Sequence, residues 1–298
     1  MHEGADAMSA PSSRPGPDAA LDADVDERRA YHRRARQRSL LIATLSTVVV
    51  ISLVVILVPR APGWDRVRKS FFDGHRFRED FPELLGYLWV DVKLFLWCAP
   101  CILVWGLVIA MCRNTRNPVL FPVRLFAAAY TDVFRGVPII LTIYIIGFGV
   151  PGLGLDRPWN SPYLWGPVAL VLAYSAYVAE VFRAGIESIH ESQRAAARSL
   201  GLRHGQTMRF VVLPQAARRV IPPLMNDFLS LQKDVALVSL IGPIEVFRRA
   251  NSRKDLYANF TPLVVAAVIF LAMTIPLTRL VDWYIHRQQR RIGGSVMQ

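Results

Sequence analysis

Apolar segments long enough to cross a membrane alternate with polar loops along this chain. Six such segments can be marked, at residues 39–59, 94–112, 125–150, 163–182, 220–240 and 262–281. An α-helix of about 20 residues spans the hydrocarbon core of a bilayer, which is roughly 30 Å thick. The pattern therefore predicts an all-α, polytopic membrane protein with about six transmembrane helices.

The loops between these segments predict how the helices are oriented. Arginines cluster before the first segment, after the second, between the fourth and fifth, and after the sixth. Because Lys and Arg are more frequent on the cytoplasmic side of a cell membrane, both termini are expected in the cytoplasm. The predicted parts outside the membrane core are a disordered cytoplasmic tail with a basic block (1–38), an extra N-terminal helix (39–59), an external loop (60–83) and a basic cytoplasmic tail (287–298).

The first apolar segment has an alternative interpretation as a cleaved signal peptide. The segment is long for that role, and the residues that follow it, Arg60-Ala61-Pro62, give no clear small-x-small cleavage site. An uncleaved helix whose N-terminus lies inside is therefore favoured.

Two of the predicted spans contain charged residues at positions that need an explanation. In the third span, a helix would place Asp132 and Arg135 on one face, where they can pair. In the fifth span, Gln232, Lys233 and Asp234 are consecutive, and a charge at the bilayer centre costs about 2.5 to 3.5 kcal/mol. These three residues are candidates for a substrate path or gate. A structural ion pair near a subunit contact, or a position at the outer interface, is the alternative.

Glu180 is the only charged residue of the fourth segment and lies near its inner end. Arg183 follows it by three residues, and Glu187 follows Arg183 by four. Helix neighbours at these spacings form surface ion pairs, which is the simpler interpretation. A gate in which Glu180 and Arg135 take part is the alternative.

Composition mainly excludes other classes of protein. Hydrophobic residues make up 53% of the chain, and a net charge of +12 in so apolar a chain suits loops facing anionic lipid better than a nucleic-acid interface. Three cysteines, Cys98, Cys101 and Cys112, share one apolar segment, so no disulfide framework is indicated. Residues 97–101 resemble a thioredoxin-type active site, but a helix kinked by Pro100 explains them better because no βαβ context surrounds them.

Residues 187–214 form a polar, basic loop between the fourth and fifth segments. Alanines and arginines favour a helix over 192–202, and Gly201 suits its C-terminal cap. The consecutive alanines would let another surface approach that helix closely. A solvated basic loop is the alternative, and a DNA-binding helix-turn-helix is disfavoured because the flanking apolar segments leave no soluble core.

The spacing of small and apolar residues in this loop carries a family resemblance. Ala196-Ala197 is followed after three residues by Gly201, after nine more by Val211 and, one residue later, by Leu213-Pro214. This pattern resembles the EAA motif of binding-protein-dependent ABC transporter permeases. Further stretches are similar to the polar amino-acid subfamily, which includes the histidine and glutamine permeases: residues 134–138, 177–186, 206–207, 213–216 and 231–239. The resemblance covers residues 84–286, a core of five helices.

That resemblance implies an importer assembled from several chains. An external solute-binding protein would deliver a polar amino acid, two permease subunits of the same or sister chains would form the path, and separate ABC ATPase subunits would bind ATP-Mg. The chain has no G-x-x-x-x-G-K-[ST] phosphate loop, so it is expected to bind no cofactor and not to be an enzyme. The resemblance assigns ATPase coupling to Ser192, Gln193, Arg194, Ala195, Ala196, Ala197, Arg198, Ser199, Leu200, Gly201, Leu202, Leu213 and Pro214.

Two positions depart from the family motif. Ala195 stands where a glutamate gives the motif its name, and Ser192 stands where glycine is usual. Because the carboxylate is missing, docking is expected to depend on Arg194 and Arg198 instead. A secondary transporter driven by an ion gradient is the alternative from another class; it predicts internal repeats, and no convincing repeat relates the two halves.

Overall fold

The computed structural model describes residues 17–115 and 117–293, which form helices and turns without a β-strand. The α-helices are α1 Pro17–Leu57, α2 Trp64–Phe71, α3 Gly74–Arg113, α4 Phe121–Gly136, α5 Ile139–Gly149, α6 Pro162–Glu187, α7 Glu191–Ser199, α8 His204–Thr207, α9 Leu213–Asp234, α10 Val246–Tyr257 and α11 Thr261–Gly293. A π-turn, Met208–Val212, joins α8 to α9, and a 3-10 turn, Val235–Ile241, follows α9. The predicted all-α class is confirmed.

Helix α1 makes up most of a first unit, which ends at Val67. Its apolar part is Gln37–Arg60, in which the most apolar window of 18 residues has a mean hydropathy of 2.9 and contains no buried residue. The helix begins at Pro17, so the described part of the predicted disordered tail is helical. Ala, Glu and Arg in this stretch favour a helix, and the apolar segment that follows lets the helix propagate. Residues 1–16 of the predicted tail lie outside the described residues.

The second unit begins at Arg68 and is organised around α6. This helix is buried along much of its length, and α3, α4, α5 and α9 pack against it. Small residues allow the close approach: a Cβ added at Gly106 of α3 would lie 2.7 Å from Val178 Cγ1 of α6. Residues 97–101 lie inside α3, and Cys98 is buried there, so the helical interpretation of this pentapeptide is confirmed.

The predicted third span is broken between α4 and α5. The two helices bend by 110° between Gly136 and Ile139. Val137 has an extended backbone with ψ of 130°, because the proline after it disfavours helical geometry at the preceding residue. Neither helix alone therefore makes the crossing predicted for residues 125–150.

Four described helical segments are long and apolar enough to cross a bilayer: Gln37–Arg60, Trp64–Arg113, Pro162–Glu187 and Thr261–Gln288. The broken pair α4 and α5 would make a fifth. Helix α9 is not among them because prolines and charged residues interrupt its apolar pattern. The chain is a multi-pass membrane protein; six crossings and cytoplasmic termini stay predictions.

The predicted external loop, residues 60–83, is largely helical. Asp73 caps α3 by accepting hydrogen bonds from the backbone N–H groups of His75 and Arg76. Across from it, Phe71 stacks on Phe260 with ring centroids 4.7 Å apart. The Phe260 N–H also donates to the Ser70 carbonyl at 2.7 Å. From Ser70 onward, this connection is therefore part of the packed unit.

Ion pairs strengthen the same region by joining α3 to α10. Arg253 of α10 pairs with Asp80 and Glu83 of α3, and Arg249 pairs with Glu83 as well. Asp80 is fully buried, so its charge requires this partner. The start of α3 is thus fixed to α10.

Candidate functional site

Helix α7 lies at the centre of the predicted coupling segment. It is found at Glu191–Ser199, close to the predicted 192–202. The Nδ1 atom of His190 caps it by accepting from the backbone N–H of Ser192 at 3.2 Å. Just past its C-terminus Gly201 has a φ of 80°, the left-handed conformation that favours glycine. The local sequence therefore determines both ends of α7.

One face of α7 is anchored to the chain around it. Arg194 turns its guanidinium back and donates to the Ile186 carbonyl at 2.7 Å. Ala197 is buried, and a small cluster of Ile189, Val212 and Ala216 joins the segment to the start of α9. Arg194 is thus engaged within the chain, and its expected part in docking stays a prediction.

The opposite face of α7 is open. Exposed side chains on this face belong to Gln193, Ala195, Ala196 and Ser199. Leu200, directly after the helix, is 83% exposed. Arg198 is also exposed, but it pairs with Glu191 at 2.8 Å. The structure therefore presents small residues and one prominent leucine to a possible partner.

The rest of the segment adds an aromatic residue that sequence reasoning missed. Phe210 lies in the π-turn and is 63% exposed. Leu213 and Pro214 open α9 and are exposed too, whereas Leu202 is half-buried. A large aromatic residue in a polar loop can indicate an interaction surface, so Phe210 could have been selected from the sequence. We call the exposed set Ala195, Ala196, Leu200 and Phe210 the coupling face.

Glu180 forms a charged centre between three helices. Within α6 it pairs with Arg183, which pairs in turn with Glu187, so the local pairs predicted from the spacing are confirmed. Arg113, the last residue of α3, donates to the Glu180 Oε2 atom at 2.8 Å. Arg135 of α4 has its Nη1 atom 3.7 Å from the same oxygen. We call Glu180 with these three arginines the Glu180 hub.

Two features of the Glu180 hub differ from the sequence expectation. Asp132 and Arg135 do not pair; Asp132 is exposed, while Arg135 reaches α6 from the C-terminal end of α4. Arg113 was not selected because its partner is 67 residues away in the chain, and such a distance leaves no spacing signal. Packing of α3 and α4 on α6 brings these charges together.

The three polar residues of the fifth span lie in different surroundings. Gln232 is buried, accepts from the Thr274 hydroxyl at 2.9 Å and lines an apolar cavity of about 450 Å³ between α3, α9 and α11. Asp234 accepts from the Tyr174 hydroxyl at 2.6 Å. Lys233 is exposed and pairs with no acidic residue of the described chain. These residues do not form one cluster, and they lie apart from the Glu180 hub.

Comparison with known proteins places these features in a family. Residues 102–290 match the family described as binding-protein-dependent transport system inner membrane component. The arginine transport system permease protein of Bacillus subtilis is 35% identical over 202 residues, covering 66% of this chain and 88% of that protein. A putative glutamine transport system permease protein of Rickettsia typhi is 34% identical, covering 58% and 78%.

Solved structures extend the likeness to three dimensions. A crystal structure of an amino acid ABC transporter with histidines has a TM-score of 0.66 and 32% identity, covering 72% of this chain and 98% of that one. The MetNI methionine ABC transporter, in an inward-facing conformation, has a TM-score of 0.55 at 16% identity and so supports the fold alone. Helix α1 precedes the residues that match the family.

Proposed function

This chain belongs to the binding-protein-dependent transport system inner membrane component family, and we propose that it is the permease subunit of an ABC importer for polar amino acids. Its similarity to arginine and glutamine permeases supports the substrate class. An external solute-binding protein would deliver the amino acid, and a second permease subunit would complete the path across the bilayer. ATP-Mg would be bound and hydrolysed by a separate ATPase subunit.

The coupling face is the observation that carries this proposal. Its leucine and phenylalanine are large, exposed apolar side chains on a segment whose other side is anchored. Exposing such side chains is unfavourable unless a partner covers them. A groove of the ATPase subunit would cover Leu200 and Phe210 and approach the alanines of α7 closely.

The Glu180 hub offers a route from the coupling face into the bundle. Arg194 fixes α7 to Ile186 at the end of α6, and Glu187 lies next to that residue. From Glu187, contacts pass through Arg183 to Glu180 and on to the ends of α3 and α4. Movement of α7 by the ATPase would therefore reach three helices through a few charged contacts. We therefore propose that Glu180 and Arg135 take part in coupling between helices.

Gln232, Lys233 and Asp234 remain our candidates for the substrate path. The exposed charge of Lys233 and the Tyr174 contact of Asp234 are compatible with a polar route along α9. In a lipid environment such groups need a protein or water partner, and a second permease subunit could supply it.

Transport by the reconstituted complex tests the proposal. Vesicles would contain this chain with the ATPase and the solute-binding protein encoded beside it, and uptake of labelled polar amino acids would be followed. Gly201→Asp forces a side chain onto a left-handed residue after α7, whereas the control Gly205→Asp adds one where φ is not positive and no atom lies within 4 Å of the new Cβ.

We expect uptake that requires ATP and the solute-binding protein, is lost in Gly201→Asp and survives in Gly205→Asp. Uptake by this chain alone, driven by a proton or sodium gradient and insensitive to Gly201, would contradict the proposal and favour a secondary transporter.

A further inference from the structure

The first turn of α10 is held by two buried carboxyl groups. Glu245 is fully buried and caps its own helix, accepting from the backbone N–H groups of Phe247 and Arg248 at 2.7 Å each. Asp91 of α3 is 1% exposed, and its Oδ2 atom accepts from the Val246 N–H at 3.3 Å. Three carboxyl oxygens thus satisfy three N–H groups that a helix start leaves without partners.

The fourth oxygen of this pair, Asp91 Oδ1, is buried and receives no hydrogen bond from the described residues. The carboxyl groups of Asp91 and Glu245 lie at the same helix start, because Asp91 bonds to the N–H of Val246, the residue directly after Glu245. Two ionised carboxylates this close repel each other when water is excluded, and an unsatisfied buried acceptor costs about 1 to 3 kcal/mol. A single proton between the two groups removes both costs.

Cations of the described chain do not neutralise the pair. Arg248 extends its guanidinium to the Ser239 carbonyl. Lys93 is exposed and lies 5.6 Å from the centre of the Trp89 ring. The positive end of the α10 dipole amounts to roughly half an elementary charge, which suits one carboxylate better than two.

The remaining elements around the pair add no free charge. Farther along α10, the two arginines Arg249 and Arg253 are taken up by Glu83 and Asp80. Helices α9 and α11 contribute Gln232 and Thr274, which are uncharged and bonded to each other.

We propose that Asp91 is a proton-binding site, neutral in the folded protein, whose Oδ1–H donates to the ionised carboxylate of Glu245. The bound proton closes the contact between α3 and the start of α10, and its loss puts a second negative charge into a buried space. Raising the pH until the proton leaves therefore loosens α10. This site lies apart from the coupling face, and its test does not depend on the proposed function.

Amide substitutions separate the two carboxyl groups experimentally. Asp91→Asn mimics the neutral acid, since the amide NH₂ can donate to Glu245 while the oxygen still accepts from Val246. Glu245→Gln replaces one of the two accepting oxygens with an NH₂ group, so it loses part of the cap. Glu79→Gln replaces an exposed acid of α3 outside the pair and serves as the control.

Infrared spectra and thermal unfolding of the full chain, purified and reconstituted in lipid, give two independent readouts. At neutral pH we expect the wild type and Glu79→Gln to show the C=O band of a buried protonated carboxylic acid, and Asp91→Asn to lack it. The melting temperature of the wild type and of the control should fall as the pH becomes alkaline, whereas that of Asp91→Asn should lose this fall. Glu245→Gln should have a lower melting temperature than the wild type at every pH.

Three results would overturn the proposal: a wild type without the protonated-acid band at neutral pH, the same band persisting in Asp91→Asn, or an alkaline fall in melting temperature of equal size in Asp91→Asn and the wild type. The infrared readout stays informative if Glu245→Gln does not fold, because it compares the wild type with Asp91→Asn and Glu79→Gln.

Discussion

Removing the charge at the centre of the Glu180 hub tests how the ends of α3, α4 and α6 are held together. Glu180→Gln keeps the shape of the side chain but leaves Arg113 without a carboxylate and Arg183 with only that of Glu187. The side chains of Glu180 and Arg113 are 22% and 18% exposed, so their pair is only partly screened by water. Hydrogen bonds to charged groups contribute about 1.5 to 3 kcal/mol and exposed pairs about 0.2 to 1 kcal/mol. We expect the free energy of unfolding to fall by about 2 to 4 kcal/mol.

A double-mutant cycle isolates the contact between α3 and α6. Arg113→Gln, Glu180→Gln and the combined variant would be unfolded in detergent, and their free energies compared. We expect a coupling energy of about 1 to 2 kcal/mol, within the range for residues in direct contact. Arg135→Gln serves as the weaker comparison because that side chain is 43% exposed and 3.7 Å from Glu180.

Two outcomes would refute the reasoning about the hub. Additive effects of Arg113→Gln and Glu180→Gln would mean that the pair contributes nothing beyond its separate charges. In transport assays, Glu180→Gln should lower the amino acid moved per ATP hydrolysed, because the contacts between α7 and the helix ends are interrupted. An unchanged ratio in a folded variant would remove Glu180 from coupling.

Two further predictions follow from packing and exposure. Gly106→Ala should lower the free energy of unfolding by about 1 to 3 kcal/mol because its Cβ meets Val178, whereas Gly86→Ala, with no atom within 4 Å, should not; equal melting temperatures would contradict the close approach of α3 and α6. Phe210→Ser should weaken ATPase binding at least tenfold, a loss of about 1.4 kcal/mol, without lowering the melting temperature, and unchanged binding in a pull-down titration would remove Phe210 from the coupling face.

Sequence periodicity predicted the helices that are apolar and continuous, because burial in lipid requires little beyond length and hydropathy. The predicted spans around α3, α6 and α11 are found for that reason. The motif spacing also located α7 and its glycine cap, because a left-handed residue after a helix is usually a glycine. Helix extent in the tail before residue 39 was underestimated, because a polar composition does not by itself exclude a helix.

Contacts between distant residues could not be read from the chain. Arg113 and Glu180 meet only because α3 packs on α6, and Asp91 meets Val246 only because α10 folds back onto α3. Arg194 makes a further contact that the charge pattern did not indicate, because it fastens the predicted docking helix to Ile186 of its own chain. Charge pattern indicates which residues need partners, and packing decides which partners they find.

The contacts around Phe260 bear on how the chain could be shortened or extended. Its ring and its backbone N–H are both engaged by the short stretch Ser70 to Phe71, and the Asp73 N–H bonds to the Thr261 hydroxyl at 3.1 Å. A truncated chain beginning just before Ser70 would retain these attachments, whereas one beginning at residue 84 would lose all of them. A different membrane anchor fused ahead of Ser70 would therefore leave the attachments around Phe260 in place.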